Sequence, residues 1–157
     1  MSDSYRDLRV WQRAMDFVMS VYESTQDFPK AELFGLVSQM RRAAVSIPSN
    51  IAEGKRRITD RDRSHFYSQA RGSLLELETQ ILIAQRLRYL AEPRAMGLLE
   101  QSSELGRMLN ALIHAIKPAE KNNSSAAPSD EHSPDPEVRR LVPKRPMPDA
   151  RRLTPNA

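Results

Sequence analysis

Apolar residues recur at steps of three and four along four separate stretches between residues 8 and 116, and nowhere does the chain alternate apolar and polar residues over a useful length. Steps of three and four put side chains on one face of an α-helix, and such a face has to be buried against another element. Four amphipathic helices joined by short links fit an all-α fold, an up-and-down antiparallel four-helix bundle. The best-defined face is Leu33, Val37, Met40, Ala44, Ile47 and Ile51, which predicts a helix over residues 31–53 with Arg41 and Arg42 off the face. Pro48 interrupts it. Proline lacks an N–H and crowds the preceding turn, so it kinks or splits a helix. The apolar register continues from Met40 to Ile51 across Pro48, so we read a kinked, continuous helix; Ser49 or Asn50 is the cap if it splits. Gly54 is expected to close the helix in the left-handed conformation, with Lys55, Arg56 and Arg57 following at the negative end of the helix dipole.

The other three helices follow from the same pattern. Leu8, Trp11, Met15, Val18 and Tyr22, widened by Ala14 and Val21, predict a helix over 8–26 with Asp3 or Ser4 as its N-cap. Trp11 stands in that stripe, so core packing is the expected role over base stacking. Phe28-Pro29 turns the chain. Phe66, Ala70, Leu74, Leu77, Ile81, Ala84 and Leu87 or Arg88 predict a long helix over 60–90, capped by Thr59 or Asp60. Leu75, Leu82 and Ile83 lie off its stripe, as expected of a helix that also meets another subunit. Ala70, Gly72 and Ser73 read as a small-residue patch for a tight crossing inside the bundle. Glu92-Pro93 opens the last helix, whose stripe is Leu98, Ser102, Leu105, Leu109, Leu112 and Ile116.

Composition divides the chain in two. All nine aromatic residues lie at or before Tyr89, and eight of the 11 prolines come after residue 117. We therefore read 1–117 as the bundle and 118–157 as a Pro-rich, partly basic, disordered C-terminal tail. Arg139, Arg140, Lys144, Arg145, Arg151 and Arg152 make the end of that tail either a solvated terminus or an arm for phosphates. With no cysteine, disulfides and thiolate metal sites are excluded. Asp3, Arg6, Asp7 and Arg9 stand where a signal peptide needs an apolar run, and no segment nears the ~20 apolar residues of a membrane span. The expectation is a cytoplasmic, soluble protein.

Certain runs are similar to a known family. They are Val10-Trp11-Gln12, Phe28-Pro29, Gln39-Met40-Arg41-Arg42-Ala43, Ser46-Ile47-Pro48-Ser49-Asn50-Ile51-Ala52-Glu53-Gly54 and Ala70-Arg71-Gly72-Ser73-Leu74. Together they resemble the signature of the bacterial four-helix bundle proteins, which include the 23S rRNA intervening-sequence proteins and the accessory proteins of diversity-generating retroelements. The likeness covers residues 6–116 and leaves out the Pro-rich tail. It implies a small antiparallel bundle, a homo-oligomer in the form of a fivefold ring (a pentamer), and binding to nucleic acid or to a reverse transcriptase.

Chemistry is sparse. His65, His114 and His132 form no metal-ligand pair, no glycine-rich phosphate loop is present, and neither metal nor cofactor is expected. Arg107 and His114 share a face of the last helix, which opens a minor reading as a helical-bundle ribonuclease of the HEPN type. Met108 stands where that motif carries a polar residue. The net charge is only +4, so local clustering says more than the total. Residues 54–71 carry six cations against Asp60 and Asp62. Lys55, Arg56, Arg57, Arg41, Arg61 and Arg63 are the candidate nucleic-acid contacts, because an arginine fork donates two hydrogen bonds to a phosphate. Arg42, Glu53 and Arg71 are candidates for structural ion pairs or nucleic-acid contact, with Arg41 or Arg42 reaching Glu76 or Glu78 and Arg71 reaching Glu53. The reading is a non-enzymatic oligomeric bundle that binds nucleic acid, RNA before DNA, by shape and charge. The alternative is an adaptor whose basic surface docks a protein such as a reverse transcriptase.

Overall fold

The computed structural model describes residues 4–116. The expected tail therefore lies outside the described residues, as does Asp3. Ser4 caps a single 3-10 turn, Tyr5–Asp7, its hydroxyl accepting from the Arg6 N–H at 3.2 Å. Four helices follow: α1, Arg9–Ser24; α2, Leu36–Arg56; α3, Asp60–Arg86; and α4, Glu92–Ile116. Each helix packs against its neighbours in sequence, α1 also packs against α4, and among the described residues no two helix backbones come close across a diagonal. That closed circuit is a square four-helix bundle. Residues 57–59 and 87–91 are too short to let successive helices run parallel, so the chain goes up and down.

The core lies along the bundle axis and takes one face from every helix. Val10, Ala14, Phe17, Val18 and Val21 of α1, Val37, Met40, Ala44, Ile47 and Ile51 of α2, Tyr67, Ala70, Leu74, Leu77, Ile81 and Ala84 of α3 and Ala95, Leu98, Leu105 and Leu109 of α4 form one cluster. Ser102 is buried within the α4 stripe and donates to Glu78 Oε1 at 2.6 Å, which satisfies a hydroxyl that would otherwise cost stability there.

Several expected details change. In α1 the buried set is Val10, Ala14, Phe17, Val18 and Val21, while Met15 and Tyr22 are exposed and Trp11 is half-buried against Tyr5. Val18, Ala14 and Val21 of the expected stripe are buried and Leu8 and Trp11 pack on the core from its edge, but Val10 and Phe17 take the places expected for Met15 and Tyr22, because packing on α2 and α4 centres the buried face between the two. Leu33 is 52% exposed and precedes α2, which starts after Gly35 and not at residue 31. In α3 the buried aromatic is Tyr67 and not Phe66, and Leu87 is exposed. Gly72 faces open space, with nothing within 4 Å of where a Cβ would stand, so the close crossing of α2 and α3 does not use it. Ala70 and Ser73 do take part, Ser73 through a 2.9 Å hydrogen bond between its hydroxyl and that of Ser46.

The helix is continuous through Pro48, as the unbroken register implied. Ser49 and Asn50 do not cap. Ser49 Oγ donates to the Val45 carbonyl at 2.8 Å and Asn50 Nδ2 to the Ser46 carbonyl at 2.9 Å. Both are bonds back to a carbonyl four residues earlier, and neither reaches the Ala44 carbonyl, which the missing Pro48 N–H would have served. Gly54 does not end α2 either. No glycine here has positive φ, and α2 continues to Arg56. Gly54 is required for a different reason: a Cβ on it would lie 2.6 Å from Cε1 of Tyr67.

Candidate nucleic-acid interface

The end of α2, the link of residues 57–59 and the first turns of α3 form one corner of the bundle. Five cations, Lys55, Arg56, Arg57, Arg61 and Arg63, converge there with Glu53, Asp60 and Asp62. The local fold follows from capping. Thr59 is the N-cap of α3, its Oγ1 accepting from the Asp62 N–H at 3.1 Å and donating to Asp62 Oδ2 at 2.7 Å. Asp60 and Asp62 sit in the first turn, where the helix dipole favours negative charge.

The five cations hold different positions. Arg57 pairs with Glu53, one turn earlier on α2, and its guanidinium lies 4.5 Å from the centre of the Phe66 ring. Arg63 faces inward at the corner: Nη1 donates to Asp60 Oδ1 at 3.2 Å and Nη2 to the Arg57 carbonyl at 3.1 Å. Its Nε is buried without a partner among the described residues. These two arginines are the buttress of the corner. Arg56 and Arg61 are exposed and make no hydrogen bond or ion pair among the described residues. Lys55 is half-buried.

The other candidates lie elsewhere. Arg41 and Arg42 are some four turns earlier on α2, roughly 20 Å along the helix from Lys55. Arg41 Nε donates to Thr25 Oγ1 at 2.9 Å and its guanidinium covers the Tyr22 ring at 4.6 Å. Arg42 is exposed on the rim of an apolar groove between α1 and α2 lined by Tyr22, Leu33, Phe34 and Val45. Neither pairs with Glu76 or Glu78; Glu76 instead accepts from Gln80 and Glu78 from Ser102. The expected Arg71–Glu53 pair does not form, because Glu53 is taken by Arg57 and Arg71 leans toward α4. Arg71 Cζ lies 3.5 Å from where a Cβ of Gly106 would be, and its Nη1 is buried without a partner among the described residues. Sequence reasoning missed the Arg57–Phe66 stack and the inward turn of Arg63, both of which depend on how α3 leaves the link.

Burial raises the Tyr67 pKa above the usual phenol value, and the positive charge of Arg63 partly opposes the rise. Arg107 donates to Ser103 Oγ at 2.9 Å, and His114 is exposed two turns further along α4. Among the described residues no cluster of three His, Cys, Asp or Glu side chains is placed to hold a metal, and no helix is long and apolar enough to cross a membrane.

Fold and corner together define a small up-and-down helical bundle whose α2–α3 turn gathers cations. The chain belongs to the 23S rRNA-intervening sequence protein family, whose sequence pattern matches residues 6–111. It is also similar to a solved structure from Bacteroides thetaiotaomicron VPI-5482, a protein with unknown function from the S23 ribosomal protein family. The two share 20% identity over 66% of this chain and 97% of that one, with a TM-score of 0.61, a likeness of fold. Comparison with curated proteins gives no match.

Proposed function

We propose that this protein is a non-enzymatic, self-associating bundle that binds nucleic acid, structured RNA before DNA, through the α2–α3 corner. The observation that carries the reading is the pair of exposed arginines, Arg56 and Arg61, held on either side of a capped, internally braced turn. A phosphate gains most from guanidinium groups that are not already neutralised. Membership of a family named for an rRNA intervening sequence supports RNA as the polymer. Exposed apolar residues off the core, Leu75 and Leu82 on α3 and Met15 and Tyr22 on α1, support self-association. In a closed ring the corner would repeat around the axis, so a modest charge per chain would add up. No base-reading motif accompanies the arginines, and the recognition proposed is of backbone shape and charge.

The test is fluorescence anisotropy of the full chain with a labelled RNA hairpin and a matched DNA duplex across a salt series. Wild type should bind the RNA more tightly, with affinity falling steeply as salt rises. Arg56→Ala/Arg61→Ala should make the salt dependence shallower by up to about two phosphate contacts. Absence of binding to either polymer at about 50 mM salt, where phosphate contacts are strong, would overturn the reading and favour a protein partner such as a reverse transcriptase.

A further inference from the structure

Ile58 sits at the centre of the cationic corner and is 95% exposed, more than any other large apolar side chain among the described residues. Single exposed aliphatic residues are common on protein surfaces. This one differs in how it is held. The residue before it is fixed twice: the Arg57 N–H donates to the Gly54 carbonyl at 3.1 Å, and the Arg57 carbonyl accepts from Arg63 at 3.1 Å. The residue after it, Thr59, is locked to Asp62 in both directions. The backbone on each side of Ile58 is therefore braced, and its own β-branched side chain is stiff about χ1. A rigid apolar side chain loses little freedom when it inserts into a partner. Arg56 and Arg61 flank it with exposed charge.

An apolar side chain between phosphate-binding cations has the chemistry of a wedge. Aliphatic side chains of this kind enter between nucleobases where stacking is already weak, and the neighbouring cations hold the backbone. We propose that Ile58 packs against an unstacked base, so that the corner prefers RNA with a bulge or loop to a continuous RNA duplex. This inference rests on the corner being the RNA site. In a continuous A-form stem the base faces are closed off, and only the phosphates would be engaged.

The experiment compares two labelled RNA hairpins of equal length, one with a single-nucleotide bulge and one with an unbroken stem, binding to the full-length protein and to Ile58→Ala. A 2-aminopurine at the bulge reports directly on its stacking. Wild type should bind the bulged hairpin more tightly and change the 2-aminopurine signal. Ile58→Ala should weaken the bulged complex about tenfold to a hundredfold, as expected from losing most of one buried aliphatic side chain. It should leave the stem complex and both salt slopes unchanged, since it removes no charge. Ile58→Phe, which keeps an apolar wedge, should retain the preference. Binding of both hairpins with equal indifference to Ile58→Ala would overturn this inference alone. Binding of neither would overturn it together with the reading of the corner as an RNA site.

Discussion

Gly54 and Tyr67 show how one backbone position holds a helix pair together. Tyr67 is 1% exposed and its ring lies directly over Gly54, so α2 and α3 approach more closely there than any side chain would allow. A Cβ would also stand 2.9 Å from Cδ1 of the same ring and 3.1 Å from Cβ of Phe66. Gly54→Ala gains some helix propensity, worth up to about 1 kcal/mol. The ring has no free end to swing away, and overpacking of this kind costs about 1–3 kcal/mol. Gly54→Ala should therefore lower the urea midpoint, and a raised midpoint would show that Tyr67 has room to move. The glycine was prominent in the sequence, but its predicted role as a left-handed helix stop was wrong. Close approach by a ring from thirteen residues further along leaves no local trace.

At the scale of the element, the end of α3 is the most constrained point. Arg88 has φ of 62°, the only non-glycine residue with positive φ among those described. The bonds around it are those of a left-handed helix stop: the Arg88 N–H donates to the Gln85 carbonyl and the Tyr89 N–H to the Ala84 carbonyl, both at 2.9 Å. Glycine takes this conformation without the Cβ clash that costs other residues about 1–2 kcal/mol, although it loses more entropy on folding. Arg88→Gly should raise the thermal midpoint, by a net gain of up to about 1 kcal/mol. Calorimetry checks this, and a fall would mean that the arginine side chain supplies a contact outweighing the strain. The apolar steps that end on Leu87 or Arg88 predict a helix as far as residue 90. Leu90 is indeed buried, but it reaches the core from the link and not from the helix. Pro48 had the opposite outcome. Its interruption was visible, and the unbroken register on either side correctly implied that the helix continues.

For the whole molecule, the closed circuit of four helices around one core implies that unfolding is a single cooperative event. A buried titrating group then acts on the stability of the entire bundle. The Tyr67 phenol is such a group, its pKa raised by burial and drawn back in part by Arg63. Tyr89 shifts in the same direction, through loss of solvation first and then through the charge and hydrogen bond of Glu32. Above the unfolded phenol pKa of about 10, the unfolded chain loses these protons while the folded one keeps them. Stability is therefore undiminished by these groups below that pH and falls as pH rises through the folded values. Tyr67→Phe cannot titrate at this position. The gap in stability between Tyr67→Phe and wild type should shift in favour of the variant as pH rises past about 10. Denaturant curves at neutral and alkaline pH measure it, and a gap independent of pH would remove Tyr67 from the explanation.

Helix number, helix boundaries to within a few residues and the bundle class were all legible in the amino-acid order. Apolar periodicity, a cap such as Thr59 and a first-turn proline such as Pro93 are local properties, and four one-sided helices with short links have few ways to bury their faces. The gathering of Lys55, Arg56, Arg57, Arg61 and Arg63 at one corner was legible for the same reason, since a three-residue link keeps them together. The folded structure decided which of the available partners each charge takes there. Glu53 took Arg57 and not Arg71, Arg63 turned inward to the Arg57 carbonyl, and Arg56 and Arg61 were left facing water. It also centred the buried face of α1, keeping Ala14, Val18 and Val21 of the expected stripe but burying Val10 and Phe17 and leaving Met15 and Tyr22 exposed. Periodicity says that a helix has a face to bury. The angle at which a neighbouring helix arrives selects the face and the partner of each long side chain, and that angle is a property of the packed whole.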